Sequence, residues 1–181
     1  MAVLVVLALT AVAAGAQTVI LNFDDIPTVR MPSGYGGLNW DNNFGIWGWP
    51  QDPYNPHSPP NRVLFNCVSE GIGESKATFI GSPQIFDGAW FTSDGSTVFL
   101  NLYNEGALVA TSSVLVGSAT PTFLSSGYSG LVDSVGIVGD RGYFAMDDFT
   151  YHIVPEPSAL ALLTFSLLIG GMRFRARLSP V

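Results

Sequence analysis

Residues 97–103 read Thr-Val-Phe-Leu-Asn-Leu-Tyr, and this stretch decides the fold class. Val98, Leu100 and Leu102 are spaced two positions apart, so in a β-strand they share one face, which indicates a strand with one buried side. The next residues, 104–106, read Asn-Glu-Gly and favour a short turn of the hairpin type. The stretch therefore predicts a strand that is followed at once by an antiparallel partner.

The same combination of short apolar stretches and turn residues extends on both sides of this strand. Long helical periodicity is missing between residues 17 and 153, where Gly, Pro, Asn, Asp and Ser interrupt the chain at short intervals. We expect turns of the hairpin type at 93–96 and 104–106, and a turn at 139–142 between the last two strands. Many short strands predict a sandwich or barrel, and we favour an all-β, jelly-roll-type sandwich. The predicted strands are 18–23, 62–68, 84–92, 97–103, 108–116, 132–138 and 143–153.

Residues 26–61 differ from the rest of the chain because they are rich in tryptophan and proline. Trp40, Trp47 and Trp49 are three of the four tryptophans, and five prolines predict a rigid irregular loop at the end of the stretch. Aromatic rings on a stiff loop suit stacking on sugar rings, whereas tryptophans under a long loop also serve as core. Both roles stay open for the three tryptophans at this stage.

Two pairs of acidic residues flank the predicted first and last strands. Asp24 and Asp25 follow the first strand, while Asp147 and Asp148 lie within the last one. If these strands lie side by side, up to four carboxylates converge and a structural calcium ion would neutralise them. The alternative is that the carboxylates point to solvent or cap loops. A glycosidase needs two carboxylates at set separations across a cleft, which sequence spacing does not establish.

Composition limits the function of residues 17–153. They contain four basic and thirteen acidic side chains, a formal charge of −9, which argues against nucleic acid as a partner. Cys67 is the single cysteine, so no internal disulfide forms, and with only His57 and His152 a zinc site has no support. Gly-x-Ser-x-Gly, Gly-Lys-Ser/Thr and His-Glu-x-x-His motifs are missing from the sequence. We therefore expect no enzyme activity.

The two ends of the chain read as targeting signals. Residues 2–14 form an apolar run, and Ala14-Gly15-Ala16 predicts a signal peptide, residues 1–16, that is cleaved before Gln17. At the other end, the box Val154-Pro155-Glu156-Pro157-Ser158 precedes an apolar run, 159–172, which as a helix would be about 21 Å long. Arg173, Arg175 and Arg177 follow in the basic tail, 173–181, and are expected to stay cytoplasmic. This order predicts an exported sandwich domain, 17–153, with a transmembrane sorting helix behind it.

The tail resembles the PEP-CTERM sorting signal, also known as the ice-binding protein C-terminal domain. That resemblance implies cleavage at the Pro-Glu-Pro box by an exosortase-type transpeptidase, transient anchoring in the inner membrane, and delivery to the cell surface or the extracellular polysaccharide matrix. Residues 23–25, 32–40 and 144–151 are similar to the first and closing segments of secreted proteins of that group, whose bodies look like carbohydrate-binding jelly rolls.

Three functions are compatible with the sequence. The leading one is a secreted, surface-sorted, non-enzymatic protein of the bacterial polysaccharide matrix. The alternatives are a calcium-dependent carbohydrate-binding module and an enzyme that acts on glycans.

Overall fold

The computed structural model describes residues 17–27, 30–65, 73–139 and 144–154. The predicted signal peptide, Cys67, and the sorting segment from Pro155 onward lie outside these residues. In the described ranges no helix is long and apolar enough to cross a membrane. Residues 17–154 form one compact unit.

Two antiparallel sheets of six strands each pack face to face, which confirms the predicted all-β sandwich. The front sheet has the order β10-β6-β12-β4-β3, with β1 also paired to β12, and the back sheet has the order β2-β5-β11-β7-β8, with β9 paired to β7. A 3-10 turn, Tyr35–Gly37, precedes β2. The strands are β1 (Gln17–Leu21), β2 (Leu38–Trp40), β3 (Phe44–Trp47), β4 (Arg62–Phe65), β5 (Gly73–Phe79), β6 (Ile85–Ser93), β7 (Thr97–Asn104), β8 (Ala107–Thr111), β9 (Leu115–Val116), β10 (Thr122–Ser125), β11 (Ser134–Gly139) and β12 (Phe144–Ile153).

The decisive strand, β7, behaves as its alternation predicts. Val98, Leu100 and Leu102 are fully buried between the sheets. The turn at 104–106 joins β7 to its antiparallel neighbour β8, as expected. The first and last strands also lie side by side, because β1 pairs with β12 from Gln17↔Ile153 to Leu21↔Phe149.

Other details of the prediction are wrong. The turn at 93–96 is not a hairpin, because β6 belongs to the front sheet and β7 to the back sheet. The predicted strand 108–116 is two strands, since the Ser112 hydroxyl accepts the amide hydrogen of Leu100 at 2.9 Å where the ladder would continue. Strands β2, β3, β5 and β10 were not predicted: β2, β3 and β10 are only three or four residues long, and β5 has just two apolar side chains, Ala77 and Phe79, among its seven residues.

Candidate functional site

The outer surface of the front sheet carries most of the polar and aromatic side chains that matter for function. Strand alternation buries Phe86, Ala89 and Phe91 of β6 in the core and turns Asp87, Trp90 and Thr92 outward. The interval between Phe86 and Ala89 is three residues because β6 is irregular at Gly88, where φ is 149°. A side chain at Gly88 would collide with the backbone of Leu124 and the ring of Phe123 on β10, so the close approach of β10 requires glycine.

A long connection covers one half of this outer surface. We call residues 48–61 the proline loop; it contains Pro50, Pro53, Pro56, Pro59 and Pro60. The guanidinium of Arg62, which is 1% exposed, donates to the carbonyl of Trp49 at 2.6 Å. The buried hydroxyl of Thr92 donates to the carbonyl of Asn55 at 3.0 Å. The loop is therefore fixed to β4 and β6 through polar groups that the sheet buries beneath it.

Asp147 and Asp148 hold the middle of the proline loop. One carboxylate oxygen of Asp147 accepts the backbone N–H and the hydroxyl of Ser58 at 2.7 and 3.2 Å. Asp148 accepts the same hydroxyl at 2.7 Å, and its other oxygen lies 2.6 Å from Nδ1 of His57. Asp148 has a φ of 46°, so a strained bulge directs both carboxylates to one segment of the loop. Burial raises the pKa of Asp147 to about 7, and the nearby charge of Asp148 adds to this rise while hydrogen bonds from Ser58 oppose it.

Asp24 and Asp25 bond to residues near the C-terminal end of the proline loop and in the 3-10 turn before β2. Asp24 accepts the backbone N–H of Asn61 at 2.9 Å, and Asp25 accepts the hydroxyl of Tyr35 at 2.8 Å. Burial, together with this bond to Asp25, raises the pKa of Tyr35. The buried amide of Asn61 donates to the carbonyls of Phe23 and Ile26, both at 2.8 Å. The two acidic pairs thus approach residues 57–61 from two directions.

The donors found at the four aspartates are amides, hydroxyls and an imidazole of the protein itself. Among the described residues, no group of three or more His, Cys, Asp or Glu side chains is arranged to hold a metal ion. The calcium site at Asp24, Asp25, Asp147 and Asp148 stays a prediction, and a melting curve with calcium or with a chelator tests it.

The other half of the outer surface is open and concave. A groove of about 560 Å³ lies over β10, β6 and β12. We call it the open groove; it is lined by Ile85, Asp87, Phe123, Ser125, Ser126, Gly127, Tyr128, Ser129 and Thr150. The ring of Phe123 is 39% exposed. The groove therefore combines aromatic rings with hydroxyl groups and one carboxylate.

A row of polar contacts crosses three strands at the rim of the open groove. The hydroxyl of Thr18 on β1 lies 3.0 Å from Nδ1 of His152 on β12. Nε2 of the same imidazole lies 2.8 Å from the carboxylate of Asp87 on β6. These contacts fix the direction of the Asp87 carboxylate beside the groove.

The three tryptophans of residues 26–61 have different environments. The indole of Trp40 packs edge to face against Phe23, Phe44 and Phe149, and its N–H donates to the carbonyl of Tyr35. Trp40 is thus half-buried and packs against the core. Trp47 and Trp49 pack against each other with ring centroids 5.5 Å apart at the edge strand β3, and Trp49 is 62% exposed. The structure does not bring the three rings together as a single platform.

The sequence patterns did not indicate the open groove. Phe123 lies in a strand that was not predicted, and the fourth tryptophan, Trp90, stands in a predicted strand without a motif around it. The usable signal was the alternation within β6, which places Asp87 and Trp90 on the face opposite the buried phenylalanines.

Comparisons with known proteins gave matches only among solved structures. No protein-family model matches the chain, and no curated protein sequence matches it. An arabinose-bound GH51 α-L-arabinofuranosidase matches with a TM-score of 0.48 and 14% identity, covering 74% of this chain but only 26% of the enzyme. This chain therefore spans about a quarter of the enzyme's length.

Two carbohydrate-binding modules are also similar in structure. A family 29 module in complex with mannohexaose matches with a TM-score of 0.44 and 11% identity, covering 78% of this chain and 100% of the module. A family 61 module in complex with β-1,4-galactotriose matches with a TM-score of 0.40 and 12% identity, covering 68% and 95%. At this level of similarity, the function has to be argued from the residues of this chain.

Proposed function

We propose that this protein is an exported, non-enzymatic protein that binds polysaccharide outside the cell. The open groove is the observation that supports the proposal best. Sugar rings present apolar C–H faces and hydroxyl edges, so a site for them needs an aromatic surface beside hydrogen-bonding groups. Phe123 and Tyr128 supply the rings, while Asp87, Ser125 and Thr150 supply the polar groups.

The charge of the protein indicates which sugars suit the groove. The sandwich domain has a formal charge of −9, and the charged side chain that lines the groove is the carboxylate of Asp87. Uronic acids and sulfated sugars would be repelled by this carboxylate and by the surrounding field. A neutral glycan is therefore the preferred ligand class.

The carboxylates support binding rather than hydrolysis. Hydrolysis of a glycosidic bond requires two carboxyl groups across a cleft, about 5 to 9.5 Å apart. Among the described residues that line the open groove, Asp87 is the single acidic one, and it is paired with His152. Asp147 and Asp148 are buried under the proline loop and bonded to Ser58 and His57, so they are poorly placed to reach a sugar in the groove.

Ser58, His57 and Asp148 do not form a nucleophilic triad. In a triad the histidine lies between the serine and the acid and accepts the hydroxyl proton. Here the hydroxyl of Ser58 donates directly to Asp148, and Nδ1 of His57 contacts the other oxygen of the same carboxylate. The hydroxyl of Ser58 therefore anchors the proline loop to β12.

The fold and the chain ends complete the proposal. Consecutive strands cross between the two sheets several times, which supports a sandwich of the jelly-roll type. The Pro-Glu-Pro box, the apolar run 159–172 and the three arginines support export, transient membrane anchoring and cleavage by an exosortase-type transpeptidase. Alanines at Pro155, Glu156 and Pro157 should leave export intact and prevent removal of the tail, which immunoblotting of cell fractions would detect.

Affinity electrophoresis tests the binding function. The full-length protein, kept in a detergent without a sugar headgroup, is run through gels that contain a neutral β-glucan, a neutral mannan or polygalacturonate. We expect at least one neutral polysaccharide to retard the protein and polygalacturonate not to retard it. Unchanged mobility in every gel would contradict polysaccharide binding, and retardation by polygalacturonate alone would contradict the preference for neutral sugars.

A further inference from the structure

Trp90 lies at the boundary between the covered and open halves of the front sheet. Its Cα pairs with Phe123 of β10 on one side and with Asp147 of β12 on the other. The rings of Trp90 and Phe123 are in edge contact, with centroids 5.7 Å apart and an angle of 60°. Because Phe123 lines the open groove, Trp90 is the next aromatic ring along the same surface.

The imidazole of His57 covers the indole of Trp90. The two ring centroids are 3.6 Å apart and the planes differ by only 9°. A flat ring stacked in parallel on an aromatic face occupies the place that a pyranose ring would take on the same face. His57 belongs to the proline loop, and 38% of its side chain is exposed, so the stack lies at the surface rather than in the core.

Several hydrogen bonds that do not involve His57 hold the proline loop in place. Ser58 bonds to Asp147 and Asp148, Asn61 bonds to the carbonyls of Phe23 and Ile26, and Arg62 bonds to the carbonyl of Trp49. Loss of the imidazole therefore leaves the loop attached on both sides of position 57. The stack can be removed without removing the loop.

We propose that Trp90 is a second stacking subsite for a pyranose ring of the same neutral glycan, and that His57 is an internal occupant that keeps this subsite closed. This inference rests on the proposed function of the open groove. A glycan long enough to extend past Phe123 would reach Trp90 once the imidazole moves away. Short oligosaccharides would fill the open groove alone.

The test compares the wild type with His57→Ala in the full-length protein, by titration with cellotriose, cellohexaose, mannotriose and mannohexaose. In His57→Ala the affinity for a hexaose should rise about five-fold, while the affinity for the matching triose stays unchanged. The double variant His57→Ala/Trp90→Leu should lose the gain. His57→Asn is the second variant, because its amide keeps a donor for Asp148 while it lacks the outer ring atoms, and it should show the same gain.

The outcomes separate this inference from the proposed function. If the wild type binds the hexaose and neither His57→Ala nor His57→Asn binds it more tightly, the closed subsite is overturned and the open groove stands as the glycan site. A gain that persists after Trp90→Leu also overturns it. No binding in the wild type, together with binding in His57→Ala that requires Trp90, overturns the groove as the glycan site and with it Trp90 as a second subsite beside the groove. No binding in any of these proteins overturns both.

Discussion

The two halves of the front sheet's outer surface have similar side chains and different roles. In the covered half, Arg62, Thr92 and Asp147 are nearly inaccessible and bond to the proline loop. In the open half, Asp87 and Phe123 face a groove. The difference comes from the loop above the sheet, not from the strands. A polar side chain on the outer face of a strand thus anchors a loop where a loop covers it. Where nothing covers it, the same side chain is available to contact a ligand.

The largest expected effect is on the pH dependence of stability, and it tests whether the buried carboxyl group of Asp147 anchors the proline loop. Its pKa is raised from 3.8 to about 7, so folding favours the protonated form. The stabilisation is complete below about pH 4 and is lost as the pH rises through 7, on the order of 4 kcal/mol in total. The free energy of unfolding, measured with urea from pH 4 to 9, should fall with rising pH in the wild type. Asp147→Asn keeps the size of the side chain without the charge and should fall much less.

Asp94→Asn is the matched control, because Asp94 is an exposed acid in the turn after β6. It should keep the pH dependence of the wild type. If Asp147→Asn and the wild type had the same dependence on pH, the carboxyl group of Asp147 would not be a buried group whose protonation is linked to folding.

The next effect tests the other end of the loop. Asn61→Ala removes two hydrogen bonds and leaves the carbonyls of Phe23 and Ile26 without that donor in a buried place. We expect a loss of about 3 kcal/mol in the free energy of unfolding. Asn42→Ala, at an exposed turn, is the control and should change stability by less than about 0.5 kcal/mol. Equal losses of unfolding free energy in the two variants would show that Asn61 does not anchor the proline loop.

A smaller effect tests the open half. Phe123→Ala should weaken binding of a neutral oligosaccharide about ten-fold, which is about 1.4 kcal/mol. Stability should change little, because more than a third of the ring is already exposed. Isothermal titration gives the affinity and a melting curve gives the stability. An unchanged affinity in a folded variant would place the sugar elsewhere.

The smallest effect concerns the exposed indole outside the groove. Trp49→Ala truncates a larger aromatic side chain than Phe123→Ala does, but at the edge of the sheet beside Trp47. We expect unchanged oligosaccharide affinity and a stability loss of no more than about 1 kcal/mol from the ring contact with Trp47, since Arg62 bonds to the backbone carbonyl of Trp49 and not to its ring. A large loss of affinity in this variant would favour the tryptophan pair as the platform.

The sequence predicted the sandwich better than it predicted the site. Alternation in β7 and its Asn-Glu-Gly turn are local signals, and both agree with the structure. Whether the turn at 93–96 forms a hairpin depends on whether β7 joins the same sheet as β6. Long-range packing determines this, and the turn residues do not. The four strands that were missed include three edge strands, β2, β3 and β10, which are only three or four residues long.

The acidic pairs show why the site was harder to predict. Convergence of the acidic pairs required the first and last strands to lie side by side, and β1 does pair with β12. The donors for Asp147 and Asp148 come from His57 and Ser58, about 90 positions earlier in the chain. Only the three-dimensional path of the proline loop places these groups over the carboxylates, because prolines predict a rigid segment without predicting its direction.

Chemical-shift mapping of the full-length protein with a neutral hexaose tests the central claim most directly. Amide signals are recorded during titration with cellohexaose or mannohexaose in a detergent without a sugar headgroup. We expect the shifts to concentrate at Asp87, Phe123, Ser125, Tyr128 and Thr150 and to leave the back sheet unaffected. Shifts confined to Trp47 and Trp49, shifts on the back sheet, or no shifts with either sugar would contradict the open groove as the glycan site.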